Sequence, residues 1–142
     1  MDTLQCAIVL AKLELFDWEV QQRFAIGACY NQLMDDAGIP RVQQRPNRTS
    51  VFAQYTVLIE NREIVQKELN EAGIPTAVHY PIPLSRQPAF AYLDKSADSR
   101  PVADEIAQHV MSLPMGPTLM INEQRRVVEA LSKAVIGWET TA

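Results

Sequence analysis

The sequence predicts an α/β (α+β) fold: two lead-in helices, then a small, mostly antiparallel or mixed sheet packed by helices. Apolar residues recur at three- and four-residue steps over most of the chain, the spacing of helices that bury one face. Between the helical stretches lie short runs rich in Val, Phe, Tyr, Thr and Ile, bounded by Gly, Pro and Asn, as strands are. At 142 residues the chain is long enough for one core that buries about two thirds of its unfolded surface.

The first helix is expected over residues 2–14, with Asp2 or Thr3 accepting the free amide hydrogens of its first turn and Leu4, Ala7, Ile8 and Ala11 along one face. Leu15 and Phe16 mark a break. A second helix runs from Asp17 to about Asp36, with Val20, Phe24 and Ala28 at four-residue spacing, and Gly38 and Pro40 end it. Arg41 to Thr49 reads as a polar linker. Its Arg41, Arg45 and Arg48 form a local basic patch suited to a solvated loop.

Ser50 to Ile59 alternates as a strand, and Asn61 is placed to cap a helix from Arg62 to Ala72 that turns Val65, Leu69 and Ala72 to one side. Gly73 accepts the left-handed conformation of a helix C-terminus, and Pro75 prevents continuation. Thr76 to Tyr80 should follow as a strand, completing a β-α-β unit. Period-2 geometry would send His79 and Tyr80 out in opposite directions. Pro81 and Pro83 then hold the next segment extended, so two polar-tipped side chains stand at the mouth of a rigid connection where a ligand could meet the domain. The competing use of His79 and Tyr80 is as packed residues with no ligand.

Leu93 to Arg100 is polar and looped, and Pro101 suits the first turn of a helix through Met111, with Val102, Ile106, Ala107 and Val110 inward and His109 near its end. Ser112 to Pro117 carries two prolines, which predicts a very short edge strand. Asn122 caps a last helix burying Val127, Val128, Leu131, Ala134 and Val135 before Gly137 stops it. The units are therefore residues 1–38 (lead-in helices), 39–137 (small α/β domain) and 138–142 (tail), with no internal repeat.

Four stretches resemble the DegT/StrS-type aminotransferases, pyridoxal-phosphate enzymes that aminate keto-sugars attached to nucleotides. The family pattern Gly-Ile-x-Thr-x-x-His-Tyr-Pro-x-Pro-Leu-His-x-Gln-Pro is matched at Gly73, Ile74, Thr76, His79, Tyr80, Pro81, Pro83, Leu84, Gln87 and Pro88. Met1 to Ile8 is similar to an Asn-x-Arg-Met-Asp-x-x-Gln-Ala-Ala-like run, with Cys6 in place of alanine, and Ser50 to Tyr55 to the Ser-x-x-x-x-Tyr strand. Met111 to Leu119 follows Leu-Ser-Leu-Pro-Met-His-Pro-x-Leu. Ser85 and Gly116 stand where histidines are usual, which removes two polar contacts.

The resemblance spans Met1 to about Val135 and implies the C-terminal small domain of a fold-type I aminotransferase. It implies that His79 and Tyr80 bind substrate, and that the whole enzyme uses pyridoxal phosphate, a nucleotide-sugar substrate and an amino-acid amino donor in polysaccharide or lipopolysaccharide biosynthesis. The family's cofactor lysine and phosphate cradle lie in a preceding N-terminal domain, the expected partner in the same polypeptide, and the family implies a homodimer. None of the four lysines, Lys12, Lys67, Lys95 and Lys133, sits by a Gly- or Ser-rich phosphate loop. This chain by itself is therefore expected to hold no cofactor and to be inactive.

Other chemistry finds little support. Two histidines thirty residues apart, with no cysteine at ligand spacing, make no zinc site, and Asp35 and Asp36 point apart on a helix. A net charge of −4 with scattered basic residues argues against a nucleic-acid partner. Two cysteines and no spanning or targeting segment suggest a cytoplasmic protein with no membrane partner. A second function class is a stand-alone, non-catalytic binding or dimerisation module with the same fold.

Overall fold

The computed structural model describes residues 2–90, 92 and 101–139. In chain order these form α1 (Thr3–Leu13), α2 (Phe16–Ala37), β1 (Tyr55–Leu58), α3 (Arg62–Glu71), α4 (Pro101–His109), β2 (Val110–Leu113) and α5 (Ile121–Glu139). Single 3-10 turns at Leu84–Arg86 and Pro88–Phe90 fall between α3 and α4. The expected α/β class is borne out.

The tetrapeptide Ala-Gly-Ile-Pro occurs at 37–40 and again at 72–75. Both copies stop a helix in the same way. Gly38 and Gly73 take φ of 67° and 72°. The isoleucine amide after each glycine donates five residues back, Ile39 to the Met34 carbonyl and Ile74 to that of Leu69. This closes the free carbonyls of the last turn, and each isoleucine is then buried beside the helix it terminates. Each copy also delivers the chain to one edge of the sheet, through single bridges at Arg41↔Val57 and Ala77↔Ser112.

β1 and β2 pair antiparallel in the register Tyr55↔Leu113, Thr56↔Ser112, Val57↔Met111 and Leu58↔Val110. Across the sheet the order is thus Arg41, β1, β2, Ala77, which places β2 in the middle. The edge strand expected there is corrected: Pro114 lies just beyond the last paired residue, so it removes no ladder hydrogen bond. The β-α-β unit is likewise split, because β2 inserts between β1 and the Ala77 bridge. The strand expected over Thr76–Tyr80 is reduced to that one bridge, and the strand expected from Ser50 begins at Tyr55.

One face of the sheet carries Tyr55, Val57, Met111 and Leu113 into a core completed by Ile26, Tyr30 and Met34 of α2, Val65 and Leu69 of α3, and Val127, Val128, Leu131 and Ala134 of α5. Each valine, leucine, isoleucine or methionine among them contributes about 2 kcal/mol by leaving water. Polar groups taken into the core are paired. Tyr30 donates to the Pro114 carbonyl at 3.0 Å, Tyr55 to Asn31 Oδ1 at 2.9 Å, and the buried Gln124 amide to the Ile26 carbonyl at 2.8 Å. A Cβ on Gly27 would stand 2.3 Å from the Phe52 ring, so glycine is what lets α2 meet the segment before β1.

Several helix details differ from expectation. The Val20, Phe24 and Ala28 stripe of α2 is not the buried one; Ile26, Tyr30 and Met34 are. Both stripes have four-residue spacing, and only the position of the sheet chooses between them. α1 forms with Asp2 and Gln5 in a reciprocal capping box, but it buries no residue, and Leu4, Ile8 and Leu10 are exposed. Of the α4 face, Ala107 is buried while Val102 and Ile106 are exposed, and the helix yields to β2 at His109.

Asn61 precedes α3 in a left-handed conformation and makes no side-chain cap. α5 begins at Ile121, where Glu123 accepts the Met120 amide, and it runs through Gly137 to Glu139. The polar loop expected over Leu93–Arg100 lies outside the described residues.

Candidate functional site

The second face of the sheet carries a row of polar side chains. Thr56 faces Ser112 across β1 and β2, Ser112 faces Ala77 across the bridge, and His79 follows two residues after Ala77. The Thr56 and Ser112 hydroxyls are 3.4 Å apart, and Ser112 Oγ is 3.1 Å from His79 Nδ1. Ser112 is 5% exposed, so this contact is held inside the fold, whereas the His79 ring reaches the surface. Among the described residues Nε2 makes no hydrogen bond and is the nitrogen left for a ligand.

Tyr80 is 73% exposed, and its ring stands edge-on to the His79 ring, 5.8 Å away at 86°. The expectation that the two side chains diverge is therefore corrected. Past Ala77 the chain pairs with no strand, so the alternation of an extended ladder no longer applies; the peptide joining His79 and Tyr80 is cis.

His79 borders two open clefts. One, of 310 Å³, runs along Thr76, Ala77, Ser112, Pro114 and Met115 toward Gln54. The other, of 630 Å³, lies between the proline-rich loop and α4, lined by Tyr80, Ile82, Leu84, Ile106 and Val110. Arg86 ties that loop to α4 through Asp104, with Nε to Oδ1 at 3.1 Å and Nη2 to Oδ2 at 2.6 Å. The arrangement presents one imidazole edge and one phenol hydroxyl above an apolar floor, which suits a ligand with both polar and flat parts.

Of the other residues singled out in the sequence, His109 ends α4 outside both clefts, and its carbonyl accepts the Ile59 amide. Of the Arg41, Arg45 and Arg48 patch, Arg45 and Arg48 are exposed as in a solvated loop, whereas Arg41 is drawn in. Arg41 grips Asp35 in a two-pronged pair at 2.9 and 3.1 Å, which holds the Asp35 carboxyl below its ordinary range. A Cβ on Gly116 would meet nothing within 4 Å, so space does not demand glycine there. Ser112 and Thr56 were missed as site residues. The alternation around Thr56 is visible in the sequence, but what Thr56 and Ser112 face depends on strand register.

Pyridoxal-phosphate chemistry needs a lysine placed to form a Schiff base. The described lysines, Lys12, Lys67 and Lys133, are exposed on α1, α3 and α5, and none lines either cleft at His79. Lys95 lies outside the described residues. The described residues do not make a cofactor site by themselves. Among them no group of three or more His, Cys, Asp or Glu is gathered as a metal site, and no helix is long and apolar enough to cross a membrane.

Residues 1–132 match the DegT/DnrJ/EryC1/StrS aminotransferase family. A UDP-2-acetamido-2-deoxy-3-oxo-D-glucuronate aminotransferase from Pseudomonas aeruginosa is 51% identical over 119 residues, covering 84% of this chain and 32% of the relative. The erythromycin biosynthesis sensory transduction protein EryC1 of Saccharopolyspora erythraea is 34% identical, over 92% of this chain and 36% of its own length. A DegT DnrJ EryC1 StrS aminotransferase structure from Brucella abortus superposes with a TM-score of 0.86 at 28% identity, over 95% of this chain and 36% of that one. DesV of S. venezuelae, solved with a ketimine intermediate, gives a TM-score of 0.85 at 31% identity, over 94% and 36%. The chain spans about a third of the length of these relatives.

Proposed function

The chain belongs to the DegT/DnrJ/EryC1/StrS aminotransferase family, and from that premise we propose that it is the C-terminal small domain of a pyridoxal-phosphate-dependent aminotransferase acting on a keto-sugar nucleotide. In this reading His79 and Tyr80 contact the nucleotide sugar. The cofactor, its lysine and its phosphate cradle come from an N-terminal domain of the same polypeptide, and the enzyme works as a homodimer with an amino acid as amino donor. The P. aeruginosa relative is named for a UDP-linked 3-oxo sugar acid, which makes that class the first substrate to test.

The observation that carries the reading is the exposed His79, its imidazole held from below by Ser112 between two clefts, with the exposed Tyr80 beside it. A hydrogen bond to a charged group is worth about 1.5–3 kcal/mol, or roughly 10- to 150-fold in binding. In a polypeptide that joins this chain to its cofactor-binding domain, His79→Ala is expected to lower kcat/KM for the nucleotide sugar at least about tenfold. Tyr80→Phe is expected to lower it less. Wild-type kinetics in both variants would remove them from the site, and turnover by the isolated chain with pyridoxal phosphate and glutamate would overturn the reading as a whole.

The apolar residues left exposed on α1 favour a chain that packs on further protein over a free-standing binding or dimerisation module. A strictly monomeric chain that binds no hydrophobic dye would reverse that preference.

A further inference from the structure

We propose that Ser112 is a positioning residue: its hydroxyl donates to His79 Nδ1, which fixes the imidazole as the Nε2–H tautomer and aims an N–H donor into the clefts. The proposal deepens the reading of His79 as a ligand contact and rests on it for its use, though not for its test. Ser112 sits at the middle of the sheet, bridged by main-chain hydrogen bonds to Ala77 on one side and paired with Thr56 on the other. Its side chain therefore has little freedom to leave the row. At 5% exposure, water is not a competing partner of consequence.

The Ser112 hydroxyl has one proton and two neighbours, Thr56 Oγ1 at 3.4 Å and His79 Nδ1 at 3.1 Å. An imidazole nitrogen is a more basic acceptor than an alcohol oxygen, and it is also the nearer of the two. The proton goes to Nδ1, and the Thr56 hydroxyl donates in turn to Ser112 Oγ. Each hydroxyl then donates once, and the remaining imidazole proton must sit on Nε2. A donor at that position suits the phosphoryl and sugar oxygens of an anionic ligand, whereas the opposite tautomer would offer them a lone pair.

The test reads the tautomer directly on the 15N-labelled chain by long-range proton–nitrogen correlation, at about pH 9, above the range in which imidazoles ordinarily titrate. The His79 signals are assigned by their loss in His79→Gln. The expected result is a single Nε2–H tautomer in the wild type, retained in Ser112→Thr, and a mixture of the two tautomers in Ser112→Ala. Thr56→Val, which removes only the outer hydroxyl, should keep the wild-type pattern and serves if Ser112→Ala does not fold. An Nδ1–H tautomer in the wild type overturns the proposal, as does a pattern in Ser112→Ala identical to the wild type.

Because no substrate enters the measurement, the tautomer assignment can stand while the sugar-nucleotide reading fails, and the reverse. In a polypeptide that carries the cofactor-binding domain, Ser112→Ala combined with His79→Ala should lose no more activity than His79→Ala alone. An additive loss would mean that Ser112 acts by another route.

Discussion

The two ends of α2 belong to different environments. From Ile26 onward it presents Ile26, Tyr30 and Met34 to the sheet and α5, all at 7% exposure or less. Toward its start Phe16, Trp18 and Phe24 are exposed, as are Leu4, Ile8, Leu10 and Leu13 on α1. Both regions carry the periodicity of a helix that wants a partner. Among the described residues only the end from Ile26 onward has one. Apolar spacing thus records that a face is to be covered, while coverage depends on what else is folded nearby.

The contrast is broken most severely from the core side. Leu131 is fully buried in α5, and Leu131→Ala should cost about 2–5 kcal/mol in urea unfolding. Gly27→Ala drives a methyl into the Phe52 ring and should cost about 1–3 kcal/mol unless that ring swings away.

The core also titrates. Burial, the largest cause, pushes the Tyr30 and Tyr55 phenols far above the ordinary tyrosine value. Above about pH 10 the unfolded tyrosines lose protons that the folded ones keep. Stability that is complete below that pH should then fall by about 1.4 kcal/mol per pH unit for each tyrosine. Tyr30→Phe should remove one of the two contributions to that slope, as read by denaturant midpoints across the alkaline range.

The outer region should respond least. Leu10→Ala on α1 is expected to change the stability of the chain by no more than about 0.5 kcal/mol while lowering hydrophobic-dye binding. A loss of several kcal/mol there would show that α1 is covered in solution, by a second copy or by other protein, and would erase the contrast.

Much of the core was legible. Val65, Leu69, Val127, Val128, Leu131 and Ala134 follow from spacing alone, because each lies on a helix with one apolar stripe. The α2 stripe was misjudged because two four-residue series run along the same helix and the sequence does not rank them. The helix stops at Gly38 and Gly73 were legible since a positive φ there has a residue-level cause. His79 and Tyr80 were singled out by motif, and the structure sets them together at the edge of two clefts. Their mutual orientation was not legible, because one isolated bridge replaces the strand from which their directions were inferred.

What the sequence determined by itself was local or carried by motif: the helices and their glycine stops, the class of the fold, and the family to which the chain belongs. These follow from backbone preference and side-chain periodicity within a few residues, or from a long enough run of matching positions. Only the tertiary structure decided that β2 is central, which stripe of α2 is buried, and that Ser112 and Thr56 stand beneath His79. The first two depend on which distant segments the fold brings together, and the third on the register that pairs Ser112 with Thr56 on one side and with Ala77 on the other. A shift of one residue in that register turns every side chain to the opposite face, and no local preference opposes such a shift.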